Sequence, residues 1–258
     1  MQDNFEKDGC LVLDEKEWLQ DHLNNLKQDI SYLAVENGLE DPFCGRDIHL
    51  PNGEARTIFY RSLRYLPALM RLATEPRMIE IAKSLGIKVP LLMNASNIRM
   101  DEGGENLHRF EWHQDFTYLL GSANSLTFWI PLQEISEELG GLEFIPGSHR
   151  RGLYDFHVAT DQAAGKDSNL SPKDLALNHP PKEPGKIATM HLGDILVFSQ
   201  FLLHRSHGHT GPHTRWTVQI RYSDACDKDF INFRAPMGDN TTILHRNDLL
   251  SAMKGHTD

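Results

Sequence analysis

The chain has 258 residues, 26 basic against 36 acidic, for a formal net charge of −10; that length usually makes one large domain with a full core, and the acidic balance argues against a nucleic-acid partner. Its three cysteines, Cys10, Cys44 and Cys226, are odd in number and far apart, which excludes a disulfide framework or a Cys-x-x-Cys zinc site and fits a reducing compartment. The stretch from Met1 to Asp8 is not an apolar signal region, and no apolar run approaches the ~18 residues of a membrane span. A soluble, cytoplasmic, single-domain protein over 1–258 is expected, with no membrane partner; nothing in the sequence sets its oligomeric state.

A short strand is expected over Cys10 to Leu13. Asp14 and Glu17 then form a capping-box pattern, with Leu13 and Trp18 placed as a hydrophobic staple, so a helix should start there. Leu19, Leu23, Leu26, Ile30 and Leu33 recur at spacings of 3 and 4, an apolar stripe that ends near Asn37-Gly38 and is suited to packing on a sheet. Residues 41–58, with Pro42, Gly45, Pro51 and Gly53, read as loop and short irregular strand. Further helical stretches run from about Ser62, interrupted at Pro67, and from Thr74 to Leu85, closed by Gly86. Helix therefore dominates up to about residue 86.

From about residue 87 to 235 the pattern changes to short runs rich in β-formers: Val89 to Met93, Asn97 to Met100, Ser125 to Ile130, Gly141 to Pro146, Lys186 to Leu192, Ile195 to Phe198 and Trp216 to Tyr222. Many short strands bounded by turn residues indicate a sandwich or barrel, giving a mainly β fold with helices packed outside. Gly193-Asp194 reads as a tight hairpin turn, and Pro146-Gly147-Ser148 ends a strand abruptly. The segment from Gly152 to Gly185 is long, polar and proline-containing, the kind of loop that serves as a lid or binding loop.

Chemistry concentrates at Trp112-His113-Gln114-Asp115. In an extended strand His113 and Asp115 project to one side and Gln114 to the other, and neutral imidazole with carboxylate suits a divalent ion such as Fe(II). The pair alone is not specific: the composition gives roughly two His-x-Asp/Glu pairs by chance, and a second, His256-Thr257-Asp258, ends the chain. A facial-triad site needs a further histidine from a distant strand. His149, His157, His179, His191, His204, His207, His209 and His213 are available. His204 is preferred because it follows the apolar run ending at Leu203 and precedes Arg215 by eleven residues across a Gly/Pro turn; His207 is its nearest rival. An arginine there suits a cosubstrate that chelates the metal at one end and carries a free carboxylate at the other. Arg215, Thr217, Gln219 and Arg221 share one face of their strand, which should line a cavity.

Five segments in order, Trp112 to Asp115, Thr127 to Leu132, Gly140 to His149, His204 to Ser206 and Arg215 to Tyr222, resemble the phytanoyl-CoA dioxygenase (PhyH) family of Fe(II)- and 2-oxoglutarate-dependent oxygenases. The resemblance runs from roughly Asn94 to Tyr222. It implies His113, Asp115 and His204 as iron ligands, Arg215 with Ser206 on the distal carboxylate of 2-oxoglutarate, and Trp129 as the aromatic beside the cosubstrate. The family fold is a double-stranded β-helix, a jelly-roll variant with outer helices, and the implied reaction converts 2-oxoglutarate and O2 to succinate and CO2 while a substrate carbon is hydroxylated. In halogenating relatives a small residue replaces the carboxylate, so Asp115 favours hydroxylation. For Phe110, Trp112 and Phe116 core packing competes with substrate contact, and His149 reads as a loop organiser. Arg56, Arg61, Arg99, Arg109 and Arg221 either lie on the surface or form a cluster selecting an anionic or highly polar small molecule. Two other functions compete: a non-catalytic metal- or ligand-binding β-sandwich, and a zinc-dependent hydrolase or isomerase on the same scaffold. Neither has an evident use for the Arg215 clamp.

Overall fold

The protein was analysed as a computed structural model, which describes residues 2–44, 50, 53–94, 96–102, 110–137, 139–158, 174–182, 184–208, 214–232 and 234. Helix α1 (Gln2–Asp8) leads into strand β1 (Cys10–Asp14) and the long helix α2 (Lys16–Glu36), followed by α3 (Glu54–Leu63), α4 (Pro67–Ala73) and α5 (Pro76–Ser84). Strands β2 (Pro90–Leu92) and β3 (Asn97–Asp101), the single turn α6 (Phe116–Leu119), β4 (Ser125–Pro131) and β5 (Leu142–Phe144) come next. The chain continues through β6 (Phe156–Val158), β7 (Leu175–Leu177), β8 (Lys186–Ile187), β9 (Asp194–Ser199), β10 (His204–Ser206), β11 (Arg215–Asp224) and α7 (Lys228–Asn232).

The major sheet runs β1-β9-β4-β11-β2, with β3 pairing the other half of β11; the minor sheet runs β10-β5-β8, and every pairing is antiparallel. This is the mainly β core with outer helices that the strand pattern implied, in the jelly-roll form that the resemblance implied. Period-two alternation divides the residues between two cores. Leu126, Phe128 and Ile130 of β4, Ile195 and Val197 of β9, and Trp216, Val218, Ile220 and Tyr222 of β11 face outward into one cluster with Leu19, Leu23, Leu26 and Ile30 of α2. Tyr222 closes that layer by donating its hydroxyl to Ala73 O at 2.6 Å. Between the sheets, Trp129, Leu196, Phe198 and Leu142 make a second, smaller cluster. Each fully buried side chain of this size contributes about 1.5–3 kcal/mol of transfer free energy, enough to fix strand register and hence the polar inner face.

Several local expectations shift. Helix α2 starts one residue later than the capping box implied, because Asp14 stays paired in β1 while the N-cap residue is Glu15. The Glu15 carboxylate is taken by Arg77 at 2.7 and 3.0 Å and by the Trp18 indole and makes no cap bond, while Asp14 Oδ1 accepts from the first helical N–H, Lys16, at 3.3 Å. Residues 54–58, read as loop, open α3: Arg56, Phe59 and Leu63 bury one helical face that the Pro/Gly punctuation upstream obscured. Pro67 begins a new helix rather than interrupting one, as expected for a residue whose missing N–H costs nothing at the first position. Gly193 does make a turn, at φ 105°, but not a hairpin, since β8 pairs β5 while β9 pairs β1 and β4. The ends of the segment read as one long loop pair as β6 and β7. No helix among the described residues is long and apolar enough to cross a membrane.

Candidate active site

His113 and His204 are joined backbone to backbone, His113 N–H to His204 O at 2.9 Å and His204 N–H to His113 O at 3.1 Å. That bridge sets the two rings side by side, 4.2 Å between centroids. Asp115 is not in an extended strand as the His-x-Asp pattern implied; it has helical backbone angles and caps α6, with Leu119 N–H returning to its carbonyl at 3.0 Å. The turn brings its carboxylate back toward the rings: Oδ1 lies 3.6 Å from His113 Nε2 and 3.5 Å from His204 Nε2. Among the described residues these three form the one group of His, Cys, Asp and Glu with ligand atoms all within 4.8 Å of one another.

Proton bookkeeping shows what this cluster suits. Each ring has Nδ1 on a backbone carbonyl, His113 on Glu111 O at 2.6 Å and His204 on Leu202 O at 2.9 Å. A carbonyl only accepts, so each Nδ1 donates, and each ring turns its Nε2 toward Asp115. Burial holds the His113 pKa down to about 4, helped by neighbouring His204 and opposed by Asp115. Burial alone would raise the Asp115 carboxyl, but the Arg221 charge and both histidines hold it well below its usual range. Three ligand atoms, one each from His113, Asp115 and His204, converging in a site where all three residues are buried fit a divalent cation, and the ring orientations match the carbonyl-fixed histidines of metal sites.

This geometry makes the metal-free protein acid-sensitive. An unfolded histidine takes its proton near pH 6.5 and folded His113 only near 4, so stability is lost as pH falls between those values, by about 3 kcal/mol if His113 acts alone. Urea unfolding of metal-free protein at pH 7.5, 6 and 4.5 should show the loss, and His113→Gln should flatten it.

Arg215 begins β11 opposite Asp101 of β3. Its guanidinium donates to Asp101 Oδ2 at 2.8 Å and to the Gly140 carbonyl, while its Nε is buried with no hydrogen-bond partner. Arg99 holds the other Asp101 oxygen at 2.7 Å and lies 4.3 Å above the Phe110 ring. Burial would raise Asp101, yet Arg99 and Arg215 hold it down to about 2. Arg215, Ser206, Trp129, Arg99, Asp101 and Gln219 line one cavity, closed on another side by Gly141 and Leu142. Gly141 has to be glycine: a Cβ there would stand 1.9 Å from the Ala188 carbonyl oxygen. The Ser206 hydroxyl accepts from Phe110 N–H at 3.2 Å, leaving its own proton to donate.

The remaining candidates separate by their partners. His207 is turned to Glu143 at 3.1 Å, on the opposite side of the minor sheet from His204, in a cluster with Arg205 and Gly185 N–H. His149 binds Glu6 O at 3.1 Å and organises its loop; His157 and His191 pair with Asn178 and Glu134. His209, His213 and Arg109 lie outside the described residues. Arg56, Arg99 and Arg221 are buried and Arg61 is exposed. Phe116 stacks on Phe201 at 4.6 Å as a core aromatic. Gln114 is a clasp, fully buried, donating to Gly152 O and Phe201 O and accepting from Tyr154 N–H. Sequence reading missed Tyr118, Thr127 and Asp101; alternation along β4 puts Thr127 on the same face as Trp129, and along β3 puts Asp101 on the same face as Arg99, a signal that was there to use, whereas nothing marked Tyr118.

A jelly-roll core in which two histidines and an aspartate converge on one point defines the class of facial-triad metal centres. Within it the chain belongs to the phytanoyl-CoA dioxygenase (PhyH) family, whose model matches residues 7–217. It is 33% identical over 101 residues to 1-deoxypentalenic acid 11-beta-hydroxylase of Streptomyces exfoliatus, covering 36% of this chain and 32% of that protein. To L-proline trans-4-hydroxylase of Streptomyces griseoviridis it is 24% identical over 168 residues, covering 59% and 62%. The chain thus spans between about a third and under two thirds of these curated relatives. Its fold is similar to the 2-oxoglutarate-dependent carbocyclase SnoK of nogalamycin biosynthesis (TM-score 0.59, 20% identity, 92% and 90% covered). It is equally similar to EctD from S. alaskensis with 2-oxoglutarate and 5-hydroxyectoine (TM-score 0.59, 20% identity, 88% and 76% covered).

Proposed function

We propose that the protein is an Fe(II)- and 2-oxoglutarate-dependent dioxygenase that hydroxylates an unactivated carbon of a small polar or anionic molecule, converting 2-oxoglutarate and O2 to succinate and CO2. The carrying observation is that ligand atoms on His113, Asp115 and His204 converge within 4.8 Å of one another in a fold whose Arg215, lining a small cavity with Ser206 and Trp129, keeps a buried donor unused. Iron with the oxo acid supplies the oxidising chemistry when bound. The chain's own residues bind, orient and exclude water. His113, Asp115 and His204 would hold the metal. Arg215 takes the distal carboxylate of 2-oxoglutarate with its fork, the unpartnered Nε being the donor such a group completes; the Ser206 hydroxyl adds a second bond, and Trp129 walls the cavity. Arg99, Arg215 and Arg221 are buried beside two buried carboxylates, Asp101 and Asp115, and the surplus guanidinium gives the interior a positive character suited to an anionic ligand. The three cysteines are unpaired, in keeping with a reducing cytoplasm.

Anaerobic addition of Fe(II) and 2-oxoglutarate should produce a visible metal-to-ligand charge-transfer band, and Asp115→Ala combined with His204→Ala should abolish it. No band in reconstituted protein would overturn the reading in favour of a non-catalytic or zinc-dependent site. Succinate release above the uncoupled background, read across a panel of small carboxylates and polar metabolites, then identifies the substrate.

A further inference from the structure

The two oxygens of Asp115 are used differently, and residues outside the triad make the difference. Oδ1 faces the two Nε2 atoms and accepts from Tyr118 OH at 2.6 Å. Oδ2 accepts from Thr127 Oγ1 at 2.9 Å and from Arg221 Nε at 3.3 Å. Thr127 and Arg221 are directly opposed residues of β4 and β11; on the inward face of an antiparallel pair such residues emerge side by side, and here both aim at one oxygen. Gln219, two residues along the same face, accepts from the Arg221 guanidinium and fixes its direction. Thr127, Gln219 and Arg221 are all buried, so water is not at hand to replace these bonds.

A carboxylate can bind a cation through one oxygen or through both. Binding through both would set the cation in competition with the Thr127 hydroxyl and the Arg221 guanidinium for Oδ2, while Oδ1 is the oxygen that already faces both histidines. We propose that Arg221, with Thr127, is a positioning residue that commits Asp115 to ligation through Oδ1 alone. The proposal rests on the metal-centre reading above. Its consequence is a coordination count. With three protein atoms and a two-point 2-oxoglutarate on a six-coordinate metal, one position stays open for O2; a two-point Asp115 would close it.

Nitric oxide, as an O2 surrogate on Fe(II), reads that position through its S = 3/2 electron paramagnetic resonance signal. The native protein with Fe(II) and 2-oxoglutarate is expected to give the full signal. Arg221→Met is expected to keep the iron and the charge-transfer band, yet lose the nitrosyl signal at least about fivefold when 2-oxoglutarate is present and little when it is absent. Arg221→Lys, which returns a cation to the same place, should recover at least about half of it. If Arg221→Met does not fold or hold iron, Thr127→Val serves, removing one donor and no charge, with an expected loss of at least about twofold. An undiminished signal in the iron-holding variant at native 2-oxoglutarate occupancy overturns the proposal. A native protein without the charge-transfer band instead overturns the metal-centre reading itself, so the two failures are distinct.

Discussion

Arg215→Ala is expected to weaken 2-oxoglutarate binding by about 100-fold, the loss of a forked bond between charged groups, while metal affinity changes only a few-fold. The separation follows from the hydrogen bonds. Arg215 donates to Asp101 and Gly140, and none of its bonds goes to His113, Asp115 or His204. Removing it leaves Asp101 still paired with Arg99 at 2.7 Å, so the buried carboxylate is not stranded and the fold should hold. Arg215→Lys should fall between the two, because an ammonium restores the charge and the contact to Asp101 but not the planar fork. The experiment titrates 2-oxoglutarate into anaerobic Fe(II)-loaded protein, following the charge-transfer band, with Mn(II) affinity measured separately by calorimetry. Equal losses of metal and cosubstrate would place Arg215 in the scaffold rather than on the cosubstrate.

Alternation along the strands explains how much of this site was legible. The split of β11 into Trp216, Val218, Ile220 and Tyr222 against Arg215, Thr217, Gln219 and Arg221 needs only period two and the rule that apolar faces are covered, and both faces stand as read. His113, Asp115 and His204 do converge, but their convergence depends on a backbone bridge and a helical turn that no local pattern encodes. The extended geometry read from the His-x-Asp spacing is therefore not the one that brings the three together. The capping box read at Asp14 and Glu17 shifted for a related reason: the N-cap position falls on Glu15, whose carboxylate is held by a tertiary partner, Arg77, 62 residues away. Tyr118 was invisible because its role arises only once α6 turns it back onto Asp115. Asp101 looked like one acidic residue among 36 until β3 and β11 paired and set it between two arginines.

That placement makes Asp101→Ala the most damaging single change expected for stability. Asp101, Arg99 and Arg215 are all buried, and removing the carboxylate takes away the anion that both guanidiniums share, a loss that typically costs about 3–5 kcal/mol. For a chain of this size that corresponds to a fall in Tm on the order of 10 °C. Arg99→Met in the same chain should return part of the loss, because one buried cation near Gly140 is less costly than two; a double-mutant cycle isolates the coupling. The acid dependence has a definite sign. Asp101 is held down to about 2 against a usual 3.8, so its stabilisation is present above 3.8 and is lost as pH falls toward 2, and the native and Asp101→Ala unfolding curves should converge over that interval. Bound 2-oxoglutarate gives a second, independent readout. If its distal carboxylate sits at Arg215, it restores an anion where Asp101 was removed, so saturating Fe(II) and 2-oxoglutarate should raise the Tm of Asp101→Ala more than that of the native protein. A smaller rise in the variant would mean that Asp101 orients Arg215 for the cosubstrate, and that the arginine without it points elsewhere.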